Sequence, residues 1–140
     1  MKIGINKDNL YKQIKDKAMV GLKERLNSNI NEEYEDRLNY ELGCIKNNIG
    51  VMRYLLAISD IVDFARQNNI LTGNGRGSSN SSLINYVLGI TNIDPVKYDL
   101  IFENLYNDER SYEIDIDLEC ENSKVDIITN YIKDNYGYND

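Results

Sequence analysis

The amino-acid sequence predicts an α+β fold, mostly helical with a short sheet, and three observations carry that prediction. Apolar residues recur at helical spacing through most of the first seventy positions. One later stretch, Glu113 to Cys120 (EIDIDLEC), alternates strictly between apolar and acidic, the period of a half-buried strand. Between them, the short apolar run Ile70-Leu71-Thr72 leads into glycines, as a buried strand does before a turn.

Leu10, Ile14, Ala18, Leu22 and Leu26 fall four residues apart and predict an amphipathic helix over roughly residues 8–27. Its lysines and arginine read most simply as a solvated face. Asn31 is placed to cap a second helix, with Glu32 and Glu33 in a first turn that complements the helix dipole. Tyr34, Leu38, Leu42, Ile45 and Ile49 supply its apolar stripe, and Gly50 reads as its end. Met52, Leu55, Leu56, Ile58, Ile61, Val62, Phe64 and Ala65 make the most hydrophobic segment, a central core helix stopping near Asn68-Asn69. After the glycines, Leu83, Ile84, Val87 and Leu88 resume a helical period, with Gly89 just past its end. Pro95 suits the first position of a short turn or helix, and Leu100, Ile101, Phe102 and Leu105 predict another. Asn122 is placed to cap a last helix carrying Val125, Ile128, Ile132 and Tyr136, ended by Gly137.

Composition narrows the chemistry. With 41% hydrophobic and 28% charged residues in 140, the chain reads as one globular, soluble domain or part of one. No run reaches membrane-spanning length and the N-terminus is too polar for a secretory signal, so a cytoplasmic location without a membrane partner is expected. Cys44 and Cys120 have no metal-ligand spacing. There is no histidine, which removes imidazole acid–base chemistry and histidine-based triads. Any catalysis falls to carboxylates, metals, and lysine or arginine. The net charge of −7 is uneven: residues 1–30 carry +4 and residues 31–140 carry −11. A nucleic-acid binder usually shows a basic stripe, and here only the N-terminal end is basic.

Two segments carry candidate chemistry. In EIDIDLEC, same-face carboxylates repeat about 7 Å apart, a spacing set by the strand rise. Such a face suits divalent cations, which take hard oxygen ligands; a solvated acidic edge strand explains the alternation equally well. The other segment, Gly73-Asn74-Gly75-Arg76-Gly77-Ser78, leads from apolar run to helix start. Such a turn presents backbone N–H groups and a positive dipole end to an anion. It has neither the lysine of a Walker A loop nor the third glycine of a dinucleotide fingerprint. A flexible surface turn is the plainer alternative.

Taken together, these segments resemble one family. GNGRGSSNSSLINYVLGITNIDPVKYDLIFENLYNDER is similar to the glycine-serine loop and following helices of bacterial DNA polymerase III alpha subunits. EIDIDLEC falls without gaps on that family's catalytic strand, EEYEDRLNYELGCIKNNIGVMRYLLAISDIVDFARQNNI on the helices before the loop, and AMVGLKERL further upstream. The resemblance covers nearly all of the chain. It implies a single partial palm domain over 1–140, of the polymerase-beta-like nucleotidyltransferase fold. Within it lie an N-terminal basic helix (1–30), a helical pair (31–69), the glycine-serine loop and helix (70–89), the acidic catalytic strand (112–120) and a C-terminal helix (122–137).

The resemblance also implies roles. Asp115 and Asp117 match catalytic, metal-binding carboxylates for a two-Mg2+ site in which Mn2+ may substitute. Gly77 and Ser78, with Arg76 beside them, match contacts to the incoming deoxynucleoside triphosphate. The implied reaction is template-directed transfer of a deoxynucleotide to a primer 3′-hydroxyl. Departures are Asn74 for proline, Ser81 for glycine, Ile114 for proline, Glu119 for aspartate and Cys120 for phenylalanine. A third catalytic aspartate, thumb and fingers have no counterpart here. The expectation is therefore a fragment or shortened form of a replicative polymerase, inactive alone. It would bind primer–template DNA only with the missing domains and dock on other polymerase segments or replisome subunits. A non-catalytic derivative used as a binding module is the alternative. A small stand-alone nucleotidyltransferase ranks last, because Ser78 and Asp115 lie too far apart in sequence.

Overall fold

A computed structural model describes residues 3–4, 6–27, 30–70, 80–104 and 124–136. Among the described residues every regular element is helical: α1 (Lys7–Leu26), α2 (Glu32–Ile45), α3 (Ile49–Gln67), α4 (Leu83–Val87), a 3₁₀ turn at Phe102–Asn104, and α5 (Val125–Tyr136). The α+β palm expected from the sequence is corrected accordingly, because the described part is an all-helical packing with no strand. The acidic stretch 112–120, Leu71-Thr72 and Asn122 lie outside the described residues.

Ile70 shows why one expectation failed. Its N–H donates to the Ala65 carbonyl (2.8 Å) and that of Asn69 to the Arg66 carbonyl (3.2 Å), while Asn69 takes φ 57°. That paired pattern closes α3, with asparagine in the left-handed position more often held by glycine. Ile70 is thus a buried apolar plug beyond a helix, 4% exposed, and not the start of a strand. The α2–α3 boundary also moves. Ile49 keeps α2's stripe in phase, four residues after Ile45, yet Asn48 breaks the chain there. Its side chain accepts from Val51 N–H (3.1 Å) and starts α3, so Ile49 and Gly50 open α3. Asn31 caps α2 as expected, accepting from Tyr34 N–H (3.2 Å). Asn6 caps α1 in the same way.

The core is one cluster. Leu10, Ile14, Ala18 and Leu22 of α1 meet Leu38 and Leu42 of α2, Met52 and Leu56 of α3, and Leu83 and Ile84 of α4. α4 packs on both α1 and α2, α3 packs on α1, and α5 rests on α3. The face of α1 that faces α4 is stripped to glycine for a reason: a Cβ on Gly21 would lie 1.8 Å from the Val87 carbonyl oxygen. The basic residues of α1 are not simply solvated. Lys17 pairs with Asp63 of α3 at 2.7 Å, and the Arg25 guanidinium lies 4.5 Å from the centre of the Tyr86 ring.

α5 is held by one residue doing two things. The Tyr131 ring stacks on Phe64, centroids 3.9 Å apart and planes at 19°, and its hydroxyl donates to Asp60 (2.7 Å). Burial first, then the bond to Asp60, pushes the Tyr131 phenol up to about 12 from its ordinary value near 10. A phenol raised on folding keeps its proton where the unfolded chain would lose it. Its contribution to stability is complete below about pH 10 and lost as pH rises through about 12.

Two measurements test this packing. Gly21→Ala should destabilise the chain by about 3 kcal/mol or more in urea unfolding, since the obstacle is backbone. Gly43→Ala, where a Cβ meets nothing within 4 Å, should stabilise it by about 0.5–1 kcal/mol. In an alkaline titration followed by tyrosinate absorbance, one phenol should ionise at about pH 12. Tyr131→Phe should remove that step; a step of unchanged position in the variant would assign it to another group.

Candidate functional site

All five residues singled out from the sequence, Arg76, Gly77, Ser78, Asp115 and Asp117, lie outside the described residues. What the structure does describe is the scaffold immediately after the glycine-serine segment, and its centre is a residue that sequence reasoning missed. Glu41 of α2 is buried to 0% exposure. Its Oε2 accepts from the backbone N–H of Leu83 (2.8 Å), and its Oε1 accepts from that of Ile84 (3.1 Å) and from the Ser82 hydroxyl (2.9 Å). Ser82 Oγ in turn accepts from Asn85 N–H (3.1 Å). The first three N–H groups of α4 are therefore all satisfied, two by a carboxylate and one by the capping serine.

Arg37, one turn before Glu41, completes the arrangement. Its Nε donates to Glu41 Oε2 (2.6 Å), and its Nη2 donates to two carbonyls, Ser81 (2.7 Å) and Leu100 (2.8 Å). The Arg37 side chain is 19% exposed and that of Glu41 0%. Burial pushes the Glu41 carboxyl above the usual carboxylate range, against the pull of the Leu83 and Ile84 amides and of Arg37. Each of its polar partners is a donor, which is the environment a carboxylate needs when water is gone.

This changes the sequence-based picture of the anion site. The turn into α4 was expected to offer free N–H groups and a positive helix end. That end is already occupied by the protein's own carboxylate, so the Leu83, Ile84 and Asn85 amides are not free to take an anion. Leu100, the other carbonyl held by Arg37, closes the turn begun at Asp94. Asp94 Oδ1 accepts from Val96 N–H (3.0 Å) and Lys97 N–H (3.1 Å), with Pro95 at the first position as anticipated. Tyr34 of α2 donates its hydroxyl to Asp94 Oδ2 (2.5 Å), and burial followed by that bond raises the Tyr34 phenol. Nearby, Tyr40 donates to Glu103, which lowers the Glu103 carboxyl.

A signal for Glu41 exists in the sequence. Leu38, Glu41, Leu42 and Ile45 follow the i, i+3, i+4, i+7 spacing of a buried face, so Glu41 interrupts an apolar stripe with Arg37 one turn away. A carboxylate there needs buried partners. Nothing in α2 itself says that they come from residues 82–84.

Among the described residues no group of three or more Asp, Glu or Cys side chains is gathered as a metal site requires. Nor is any helix among them long and apolar enough to cross a membrane. A mixed-charge cleft of about 590 Å³ lies along α1 and the end of α4, lined by Lys17, Arg25, Arg66, Glu24 and Asp63. Lys17 and Arg66 both pair with Asp63, and Arg25 donates to Asn92 Oδ1 and lies over the Tyr86 ring.

The protein-family model described as the bacterial DNA polymerase III alpha NTPase domain matches residues 12–140, a description that names no palm. DNA polymerase III subunit alpha of Staphylococcus aureus (strain N315) is 42% identical over 104 residues, covering 74% of this chain and 10% of the relative. The same subunit of Ureaplasma parvum serovar 3 is 42% identical over 127 residues, covering 89% of this chain and 13% of the relative. The chain thus spans about a tenth of the length of the curated relatives it matches.

Replacing Glu41 by Leu tests how much the scaffold depends on it. The change strands Arg37 and two amides in the interior and should cost about 3–5 kcal/mol in chemical denaturation. A loss below about 1 kcal/mol, the worth of an exposed pair, would mean that the carboxylate is not carrying α4.

Proposed function

The chain belongs to the bacterial DNA polymerase III alpha family, and from that premise we propose that it carries nucleotide-site and metal-site residues of a replicative DNA polymerase. The observation that carries this reading is the span of the family match, residues 12–140, which takes in both chemical segments of the sequence. In this reading Asp115 and Asp117 are the catalytic carboxylates. Two carboxylates at i, i+2 are hard oxygen donors of the kind Mg2+ takes, with Mn2+ able to replace it. When bound, such ions supply charge neutralisation for the triphosphate and activate the attacking hydroxyl. Gly77 and Ser78 offer backbone donors at close approach to the triphosphate, and Arg76 adds a guanidinium suited to phosphate oxygens.

The partners follow from the reaction. They are a deoxynucleoside triphosphate, primer–template DNA when further polymerase domains supply the grip, and other polymerase segments or replisome subunits. A cytoplasmic location, away from membranes, fits that work. The chain's charge of −7 repels a DNA backbone, and two carboxylates leave a metal pair short of ligands. On its own, therefore, the 140-residue chain should not extend a primer.

Primer extension with all four deoxynucleotides and Mn2+ tests the last point, and no product is expected. Titration of Mn2+ against NMR line widths tests the metal ligands. Broadening should centre on Asp115 and Asp117 and vanish in the Asp115→Asn/Asp117→Asn double variant. Broadening spread evenly over acidic side chains would overturn the metal assignment, and extension that disappears in the double variant would show a complete small polymerase.

A further inference from the structure

The cleft along α1 and the end of α4 gathers basic side chains that the chemistry proposed above does not use. Lys17 and Arg25 come from α1 and Arg66 from α3. Three cations against two carboxylates, Glu24 and Asp63, leave the cleft net positive in a chain of net charge −7. Asp63 is already engaged, its Oδ2 2.7 Å from Lys17 Nζ and its Oδ1 3.9 Å from Arg66 Nη1. Even so, Lys17 Nζ is shut off from solvent and makes no aligned hydrogen bond among the described residues. An ammonium so placed has three N–H groups in need of acceptors. Arg66 fills a gap that glycine leaves: a Cβ on Gly89 would lie 2.7 Å from its Nη2. Arg25 is steadied by the Tyr86 ring, 4.5 Å from its centre, and gives Nη2 to Asn92 Oδ1 (3.2 Å).

We propose that this cleft binds a single phosphate group, with Lys17, Arg25 and Arg66 as its ligands. Two planar guanidiniums and an ammonium bring more N–H donors than Asp63 and Asn92 can satisfy, and a tetrahedral oxyanion supplies several acceptor oxygens at once. A metal cation suits the cleft poorly, because the Asp63 and Asn92 oxygens already face cationic side chains. A chain of several phosphates suits it no better, since Glu24 and Asp63 flank the space and repel further negative charge. The site lies wholly among the described residues. It stands whether or not Arg76–Ser78 and Asp115/Asp117 act as proposed above.

The test is an NMR titration of the 140-residue chain with inorganic phosphate, ionic strength being held constant with chloride. Saturable shifts are expected at the Gly89 amide and at the Nε–H groups of Arg25 and Arg66. Arg25→Gln and Arg66→Gln should each weaken binding by about tenfold or more, the worth of a hydrogen bond to a charged group. The Arg66 side chain is 60% exposed, so its loss leaves the fold intact. Arg53→Gln makes the same charge change at an exposed position of α3 outside the cleft, and should bind like the wild type. Glu24→Gln removes a like charge and should tighten binding by about threefold, a gain that a purely structural cleft would not give. Shifts that never saturate overturn the site, and so does an equal loss in Arg53→Gln and Arg66→Gln. A short oligothymidylate then separates two sources of the same chemistry. Shifts at the same residues that inorganic phosphate displaces support a backbone phosphate, and shifts with inorganic phosphate alone support a free or terminal one.

Discussion

The carboxylate of Glu41, sealed in the core of an all-helical packing, is the constraint on which the described structure turns. Removing a carboxylate from water costs several kcal/mol even after relaxation. That cost is tolerable here because both oxygens are spoken for: two backbone amides, a serine hydroxyl and a guanidinium converge on them. The arrangement also explains how α4 exists at all. Five residues are far too few to hold a helix in water. α4 persists because its N-terminal end is held by Glu41 and Ser82 and its C-terminal end is closed by Gly89. At φ 83° that glycine lets Ile90 N–H reach the Asn85 carbonyl (2.9 Å) while its own N–H reaches Tyr86 (3.1 Å). Between the caps, Leu83, Ile84 and Val87 bury almost completely.

What the sequence showed and what it hid separate along a physical line. Helix α1, the body of α3, the Asn31 cap, Pro95 at the head of its turn and Gly89 at the end of α4 were all legible. Each is written in local chemistry: a periodic stripe, a capping side chain, a fixed φ or a free one. The boundary at Asn48 was hidden because Ile49 happens to stay in phase with the stripe of α2, and a period alone does not register a cap. Ile70 misled because a short apolar run before glycine has the same appearance whether it enters a sheet or plugs the end of a helix. Only the hydrogen bonds to Ala65 and Arg66 distinguish them. Glu41 was hidden more deeply, since all its partners but Arg37 lie more than forty positions away. The candidate chemistry was legible as residue types at Arg76–Ser78 and Asp115/Asp117, and those positions lie outside the described residues. The frame around Glu41 was not legible, because long-range bonds to backbone leave no trace in composition.

Filling the start of α4 with an internal carboxylate has a consequence for any phosphate chemistry next to it. A helix N-terminus attracts anions through a partial positive charge and unsatisfied N–H groups that act only within the first turn. At α4 the Leu83 and Ile84 amides are committed to Glu41 and the Asn85 amide to Ser82 Oγ, so neither donors nor much residual field remain for a ligand. A triphosphate at the preceding segment would then depend on backbone donors among the glycines, on Arg76 and on accompanying divalent ions. Such a division of labour suits a chain with a net charge of −7. The positive end of α4 is spent on holding the scaffold.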